Sequence, residues 1–319
     1  MERYLALALE LKALARSRSE GLPAIRELAS RFAALPRYDT PQAFELIVSW
    51  TKARFRFAKV KRAVFGVSGG VDSSLTACVL AAALAPKNVT AYVLPCESQP
   101  GDERDARLLC AALKIPVERI DLFPALTAMR AILTPAKAAN ADGNLKTRLR
   151  TTTLFHEAAA KGALYVGTGD LDEGFVGYYT KGSGADLSPL GSLHKSEVRR
   201  LVAYALGLKD KRLARRLSAK PADAGLIKGR TAEADLGVTY AEMEGALEVI
   251  FETCALHEGG VVPREVDEFA RVLRRSGVTE RVFSRVAELI YAARHKATGA
   301  PVLWRADTTR LSAQDFESE

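Results

Sequence analysis

The stretch VFGVSGGVDSSLTACVLAAAL, Val64 to Leu84, begins with residues typical of a buried β-strand and ends with residues typical of a helix. Between them lies SGGVDSS, Ser68 to Ser74, a turn of glycines, hydroxyls and one acid. Leu75, Val79 and Ala82 recur at helical spacing directly after this turn. The loop amides and the N-terminus of the helix would therefore point toward one place, an arrangement that binds phosphate.

The plain alternative is a strand-to-helix turn in which Asp72 or Ser73 serves only as the helix N-cap. Glycines, hydroxyls and an acid together at a strand end favour phosphate binding over that alternative. The sequence has no G-x-x-x-x-G-K-[ST], the phosphate loop of kinases and GTPases, and no G-x-G-x-x-G, which argues against hydride transfer.

The composition is that of a folded protein of 319 residues, with 48% hydrophobic and 26% charged residues. No run of about 18 uncharged apolar residues occurs, so we expect no membrane span and a cytoplasmic protein. Four cysteines lack C-x-x-C spacing, and we expect reduced core thiols at Cys78, Cys96, Cys110 and Cys254.

The formal net charge of +8 would suit a polyanionic ligand. The basic stretches 209–216 and 271–275 could suggest nucleic acid, but both carry leucine or valine at helical spacing. Solvated helix faces are therefore the preferred interpretation, and we expect no nucleic-acid partner.

Short β-rich runs alternate with helical ones after a helical N-terminal extension, residues 1–60. Residues 61–319 are predicted to form one α/β domain, a doubly wound parallel sheet with flanking helices. After about residue 240 the chain is again predicted to be mostly helical, with a loop at 257–263. The predicted strands are 62–67, 89–95, 116–122 and 163–169, and the predicted helices are 73–84, 103–113, 148–160 and 195–206. SGGVDSS and GTGDLDE (167–173) would then both lie at carboxyl ends of strands, where such sheets bind ligands.

SGGVDSS resembles the pyrophosphate-binding loop of the N-type ATP pyrophosphatases, which share an adenine nucleotide α-hydrolase-like fold. Within that superfamily, Asn144 to Leu201 closely resembles NAD synthetase, as do Lys220 to Met243 and ARHKATGAP (293–301). The resemblance implies ATP-dependent amidation of deamido-NAD (nicotinic acid adenine dinucleotide) to NAD. An adenylated carboxylate would form first, because a free carboxylate oxygen is too poor a leaving group, and ammonia would then release AMP.

The resemblance also implies a role for each matching position. Asp72, Glu173 and Lys195 would be catalytic, with Asp72 and Glu173 as ligands of Mg²⁺. The residues that would hold ATP are Gly66, Val67, Ser68, Gly69, Gly70, Val71, Asp72, Ser73, Thr168, Lys195 and Asp223. Those that would contact deamido-NAD are Arg148, Tyr178, Lys181, Asp186, His295 and Lys296, with Tyr179 as a second aromatic near the pyridine ring.

The family is usually a homodimer, so the resemblance implies a homodimer here. Its glutamine-using version carries an amidase domain, which residues 1–60 are too few to contain. We therefore expect the ammonia-using type, with a separate amidase as a possible ammonia source.

Three departures from the family pattern concern the site. TKGSGAD (180–186) is two residues shorter than the family's T-K-Y-G-D-G-G-x-D, which affects the placement of Asp186. Asp223 replaces a hydroxyl expected beside ATP, where a carboxylate repels phosphate unless it binds magnesium or points away. AEADLG (232–237) keeps two of the family's acids, Glu233 and Asp235.

These departures leave two alternatives open. One is another adenylating enzyme of the same fold, acting on a different carboxylate or on a tRNA base. The other is a diverged nucleotide-binding protein without catalysis. Three histidines receive no catalytic role from the sequence, namely His156, His194 and His257.

Overall fold

The computed structural model describes residues 40–98, 100–135, 139–223, 231–257 and 260–297. The strands within these ranges are β1 Ala63–Gly66, β2 Val89–Val93, β3 Val117–Arg119, β4 Leu164–Tyr165, β5 Cys254–His257 and β6 Gly260–Pro263. The first helices are α1 Thr40–Phe57, α2 Val71–Leu84, α3 Pro100–Leu113, α4 Phe123–Ile132, α5 Ala139–Lys161 and α6 Leu171–Val176. They are followed by α7 Lys195–Gly207, α8 Lys211–Ser218, α9 Ala232–Leu236, α10 Tyr240–Thr253, α11 Val266–Ser276 and α12 Glu280–Ala297.

The central sheet is parallel, and its strand order is β3-β2-β1-β4. Helices α2 and α3 return the chain on one face, whereas α4 and α5 carry it across the other face to β4. The order of the strands therefore reverses between β1 and β4. Ligands bind at such a switch point, beyond the carboxyl ends of the strands. The predicted fold class is confirmed.

Strand β1 shows why these residues make a central strand. Ala63 and Phe65 point into the core beneath α2 and α7, while Val64 points into the core beneath α5. Alternate side chains of a strand face opposite sides of the sheet, so a run of apolar residues is required when both faces are covered.

Strand β4 is shorter than the predicted 163–169. Its pairing with β1 stops at Tyr165, after which Val166 forms an isolated bridge to Leu187. The amide of Gly167 donates to the carbonyl of Leu187, and a Cβ on Gly167 would meet Ala185 at 3.1 Å. The chain therefore leaves the sheet against the 185–188 segment instead of continuing the ladder.

A second unit of α6, α9, α10 and α12 surrounds its own apolar core beside the sheet. The prediction of a loop at 257–263 is wrong, because residues 254–257 and 260–263 pair as an antiparallel hairpin. Val261 and Val262 have the β-branched side chains that strands favour, and the helical pattern around them conceals this signal.

Helix α1 contributes Ile47 and Phe55 to the core that also contains Phe65 of β1. Residues 1–39 lie outside the described residues, so the division into an extension, 1–60, and a domain, 61–319, stays a prediction. None of the described helices is both long and apolar enough to cross a membrane.

The four cysteines are free and buried, as predicted. Burial raises the pKa of the Cys78 thiol to about 12, which keeps it protonated and unreactive. The basic stretch at 209–216 includes most of α8, which buries Leu213 and Leu217 and so fits the helix-face interpretation.

Candidate active site

The predicted phosphate loop joins β1 to α2 at the carboxyl edge of the sheet. β1 ends at Gly66, the amide of Val67 donates to Tyr92 of β2, and α2 begins at Val71. Gly70 is the N-cap residue of α2, and Asp72 lies within the first helical turn. The N-cap alternative for Asp72 or Ser73 is therefore wrong, and the helix N-terminus faces the loop.

The loop is shaped by its own hydroxyl groups. The Ser68 and Ser73 hydroxyl oxygens lie 3.1 Å apart, and the Ser73 hydroxyl also donates to the Gly70 carbonyl at 3.1 Å. The Ser74 hydroxyl donates to the same carbonyl at 2.7 Å. Because the serines bond within the loop, its form exists before any ligand binds.

Gly69 holds the outer side of this loop against α3. Its φ of +77° is a left-handed conformation, and a Cβ there would lie 2.3 Å from the carbonyl oxygen of Asp102. The ammonium of Lys220 donates to the Gly69 carbonyl at 3.1 Å and to the carboxylates of Asp102 and Asp105. The Gly69–Gly70 peptide is thereby fixed from behind.

A buried lysine forms the centre of the site. The Lys195 ammonium lies 2.8 Å from Asp72 Oδ1, 2.8 Å from Asp170 Oδ2 and 3.0 Å from Glu173 Oε1. Its side chain is 0% exposed. The structure thus brings together Asp72 from α2, Glu173 from α6 and Lys195 from α7, the three residues predicted as catalytic.

Tyr240 of α10 closes this group on one side. Its hydroxyl lies 3.3 Å from Glu173 Oε1, and the Lys195 ammonium lies 4.9 Å from the centre of its ring. A cation over an aromatic face is stabilised by the ring quadrupole, more strongly where water is excluded. Tyr240 therefore supports Lys195 and Glu173 together.

The charges in the cluster do not balance. Burial lowers the pKa of Lys195, but the negative charges of Glu173, Asp72 and Asp170 raise it by a larger amount. The pKa therefore lies above its ordinary value, and the lysine stays protonated. Burial raises the pKa of Asp170 well above its usual range, and the charge of Glu173 adds to this. Burial likewise raises the pKa of Glu173. If all three carboxyl groups ionise, the one ammonium leaves an excess of negative charge that only a further cation would offset.

This excess fits a divalent cation. Magnesium prefers carboxylate oxygens, and Asp72 and Glu173 are each partly open to solvent. Among the described residues, Asp170 Oδ2 is buried without a hydrogen bond of good geometry, although it lies within ion-pair distance of Lys195. The donor set and its charge therefore suit Mg²⁺ beside the phosphate loop.

The predicted substrate residues form a second group, around 177–186. Arg148 of α5 donates from its guanidinium to the carbonyl of Lys181, and the Lys181 ammonium donates to the carbonyl of His295 at 2.7 Å. His295 itself is exposed, and its Nδ1 lies 3.0 Å from the carbonyl of Ala292. The three residues thus tie this segment to α5 and α12.

Lys296 holds the same segment from α12. Its ammonium donates to the carbonyls of Gly177 and Tyr179 at 2.7 and 2.9 Å and lies 5.5 Å from the centre of the Tyr179 ring. Burial lowers the pKa of Lys296. In the structure, Lys296 therefore binds the backbone of the 177–186 segment, and its contact with the substrate stays a prediction.

Four further predicted residues lie around these two groups. Tyr178 donates its hydroxyl to Asp235 Oδ2 at 2.9 Å, and burial and then that bond raise its pKa. Asp223 is exposed, and its negative charge also raises the pKa of Tyr178. Asp186 accepts from the Tyr165 amide at 2.9 Å, and Thr168 is half-buried just after β4.

Sequence reasoning missed several residues of the site. Asp170 is the N-cap of α6 and accepts from the Glu173 amide at 2.9 Å, so the D-x-x-E spacing in GTGDLDE was its available signal. Asp172, completely buried, accepts from the Lys195 amide at 2.7 Å. Lys220 and Tyr240 come from distant segments, and nothing local in the sequence points to them.

The sheet is parallel in this order, a serine- and glycine-rich loop follows β1, and a lysine lies among carboxylates at the mouth of that loop. These features define a nucleotide-binding α/β protein of the ATP pyrophosphatase type. The chain belongs to the NAD synthase family, whose family model matches residues 43–300. The resemblance stated from the sequence is confirmed.

Similar proteins of known sequence cover most of the domain. The NH(3)-dependent NAD(+) synthetase of Methanococcoides burtonii is 36% identical over 217 residues, covering 66% of this chain and 80% of that protein. The NH(3)-dependent NAD(+) synthetase of Methanosarcina acetivorans is 32% identical over 270 residues, covering 83% and 98%.

Two solved structures are similar as well. The NMN synthetase of Francisella tularensis has a TM-score of 0.68 at 26% identity, covering 83% of this chain and 99% of that one. The NH3-dependent NAD synthetase of Campylobacter jejuni has a TM-score of 0.63 at 22% identity, with the same coverage, and supports the fold alone.

Proposed function

We propose that this protein is a ligase that amidates deamido-NAD to NAD with ammonia, using ATP and releasing AMP and pyrophosphate. The observation that carries the proposal is the position of Lys195, Asp72 and Glu173 at the mouth of the phosphate loop. Membership of the NAD synthase family and the names of the relatives support the choice of substrate.

In the first step, a carboxylate oxygen of the substrate attacks the α-phosphorus of ATP. The bond from that phosphorus to the bridging oxygen breaks, and pyrophosphate leaves with the electron pair. The loop amides and the N-terminus of α2 hold the departing pyrophosphate. The Lys195 ammonium stabilises the negative charge that develops on the phosphate oxygens.

In the second step, ammonia attacks the acyl carbon of the adenylate. The carbon–oxygen bond to AMP breaks, AMP leaves with the electron pair, and the nitrogen loses a proton. Little covalent chemistry is required of the protein, so orientation supplies much of the rate. We assign the orientation of the substrate to the segment 177–186, and the contacts of Arg148 and Lys296 with its backbone support this assignment.

Asp72 and Glu173 would hold Mg²⁺, with Asp170 as a third oxygen donor close by. When bound, the ion would withdraw charge from the phosphate oxygens of ATP. The surplus of carboxylates around Lys195 supports this assignment.

The test uses the full-length chain with ATP, Mg²⁺ and ammonium, and with deamido-NAD present or omitted. NAD, AMP and pyrophosphate should appear in equal amounts, and only with deamido-NAD. Asp72→Asn should abolish the three products, whereas Lys161→Met, which removes a surface ion pair with Glu118, should not. ATP binding without any AMP would contradict the proposal and favour a non-catalytic protein.

A mononucleotide substrate is a second candidate. The structural similarity to an NMN synthetase favours it, as does the short 180–186 segment, in which Asp186 bonds the backbone of Tyr165. A parallel assay with nicotinic acid mononucleotide separates the two. A higher kcat/KM for the mononucleotide would replace deamido-NAD in the proposal.

We further propose a cytoplasmic homodimer that receives ammonia from a separate amidase. The free cysteines support a reducing compartment, and the exposed Phe123, Ile132 and Phe155 give α4 and α5 an apolar surface for a second copy. Sedimentation of wild type and Ile132→Glu tests the dimer. Glutamine should support NAD formation only after an amidase is added.

A further inference from the structure

His194 is a buried histidine behind the active site, between α6 and α10. Its Nδ1 lies 2.6 Å from Asp172 Oδ1, and its Nε2 lies 3.1 Å from Glu248 Oε1. The ring is almost completely buried, whereas Glu248 reaches partly into solvent. The proposed mechanism gives this histidine no chemical task.

Both ring nitrogens of His194 thus face a carboxylate oxygen. An ionised carboxylate only accepts hydrogen bonds, so two such bonds require protons on both nitrogens, which is the imidazolium form. The charged groups around the ring are Asp172 of α6, Glu244 and Glu248 of α10, and Glu197 and Lys195 of α7. Carboxylates outnumber the one lysine, and this surplus favours a positive ring.

Asp172 connects His194 to the catalytic cluster. One of its oxygens bonds to the His194 ring, and the other accepts the Lys195 amide at 2.7 Å. The next amide of α7, that of Ser196, donates to Glu244 Oε1 at 2.7 Å. The backbone from which the Lys195 side chain extends is therefore fixed by carboxylates of α6 and α10.

A metal ion is the alternative for this group, since ligand atoms of Asp172, His194 and Glu244 lie within 4.8 Å of one another. However, both oxygens of Asp172 and both nitrogens of His194 already have partners. Glu244 is likewise occupied by the Ser196 amide. An ion would have to break the 2.6 Å contact between Asp172 and His194, so the network is complete without one.

We propose that Glu248, His194 and Asp172 form a hydrogen-bonded chain that positions Lys195 among Asp72, Asp170 and Glu173. They are positioning residues, because the chain ends on the backbone amide of Lys195 and acts through that lysine. The inference deepens the proposed function, on which its kinetic consequence rests. Its structural consequence, the immobilisation of the Lys195 backbone, does not depend on the substrate.

The test compares His194→Gln with His156→Gln, a control at an exposed histidine on α5. Glutamine keeps hydrogen-bonding capacity but cannot carry charge or donate to both carboxylates in the same geometry. Loss of a group that orients a metal ligand typically changes affinity or activity by about 10- to 100-fold, and we take the same order for a group that orients Lys195. We expect such a fall in kcat for His194→Gln, with little change in KM for ATP, and no change for His156→Gln.

Two measurements are independent of catalysis. Long-range ¹H–¹⁵N spectra of the wild type resolve four histidines, and His194 should show protons on both nitrogens at pH 7. Hydrogen exchange of the peptide containing Lys195 should be faster in His194→Gln than in the control. If His194→Gln does not fold, the wild-type spectrum decides alone.

An unprotonated ring nitrogen at pH 7, or unchanged exchange together with unchanged kcat, would overturn the inference. Should the wild type make no NAD, the proposed function fails. A doubly protonated His194 and faster exchange in the variant would then still establish the positioning of Lys195.

Discussion

The Lys195 ammonium lies 2.8 Å from the Asp72 carboxylate, although 123 residues separate them in the chain. Asp72 belongs to the first turn after the phosphate loop, and Lys195 is the first residue of α7. Lys195 also contacts Glu173 of α6, so the lysine joins the nucleotide loop to the second unit of the protein.

Lys195→Met should destabilise the protein and remove its activity. Removing one partner of a buried ion pair costs about 3–5 kcal/mol, because the remaining charges are left without compensation. Here three carboxylates would remain. Thermal unfolding should show a lower Tm, partly restored by Mg²⁺. Lys161→Met is the matched control, since Lys161 pairs with Glu118 at the surface. An equal fall in Tm and activity in both variants would contradict the prediction.

Asp170→Asn should weaken the response to magnesium while keeping the fold. Asparagine is as good an N-cap as aspartate, so α6 retains its cap, but one carboxylate oxygen is lost beside Lys195. We expect the Mg²⁺ concentration for half-maximal activity to rise about tenfold or more. The control is Asp210→Asn at the N-cap of α8, which should leave the Mg²⁺ response unchanged. A Tm that falls equally in both variants with no change in Mg²⁺ response would refute the assignment.

Gly69→Ala should disrupt ATP binding more than it disrupts the fold. The residue has a left-handed φ, and the new Cβ would meet the Asp102 carbonyl at 2.3 Å, so either the loop or α3 must move. Strain of this kind costs about 1–3 kcal/mol. Calorimetry should show weaker ATP binding. Gly101→Ala, where a Cβ meets nothing within 4 Å, is the control and should bind ATP normally.

The pH dependence of stability should report His194. Burial lowers its pKa, but the hydrogen bond and charge of Asp172 outweigh this, so the pKa is raised above the ordinary value of about 6.5. A raised pKa in the folded state stabilises the protein fully below about pH 6.5, and the stabilisation is lost as pH rises through the folded pKa. Denaturant titrations should therefore show the difference between wild type and His194→Gln shrinking above neutral pH. A difference that grows with pH would mean that the folded ring is neutral.

The features of the fold and of the site that could be predicted are those that depend on residues close together in the sequence. The helix after the loop, the parallel sheet and the proximity of Asp72 and Glu173 follow from local patterns and from the rule that strand ends gather at one edge, whereas Lys195 was predicted from the family resemblance. Asp172 and His194 were not predicted as a pair, because they lie 22 positions apart in the sequence and irregular chain separates α6 from His194. The hairpin at 254–263 was missed because its strands are four residues each, between helices.

Lys296→Met should impair the substrate segment without impairing the nucleotide loop. The ammonium donates to the carbonyls of Gly177 and Tyr179, and Gly177 lies so close to α12 that a Cβ would be 2.0 Å from that of Ala293. We expect KM for deamido-NAD to rise about tenfold, consistent with about 1.4 kcal/mol of lost positioning, while KM for ATP stays within about twofold. Steady-state kinetics of this variant beside Lys209→Met, a control at an exposed lysine after α7, provides the comparison. Equal increases in both KM values would show that Lys296 supports the fold as a whole instead of the substrate segment.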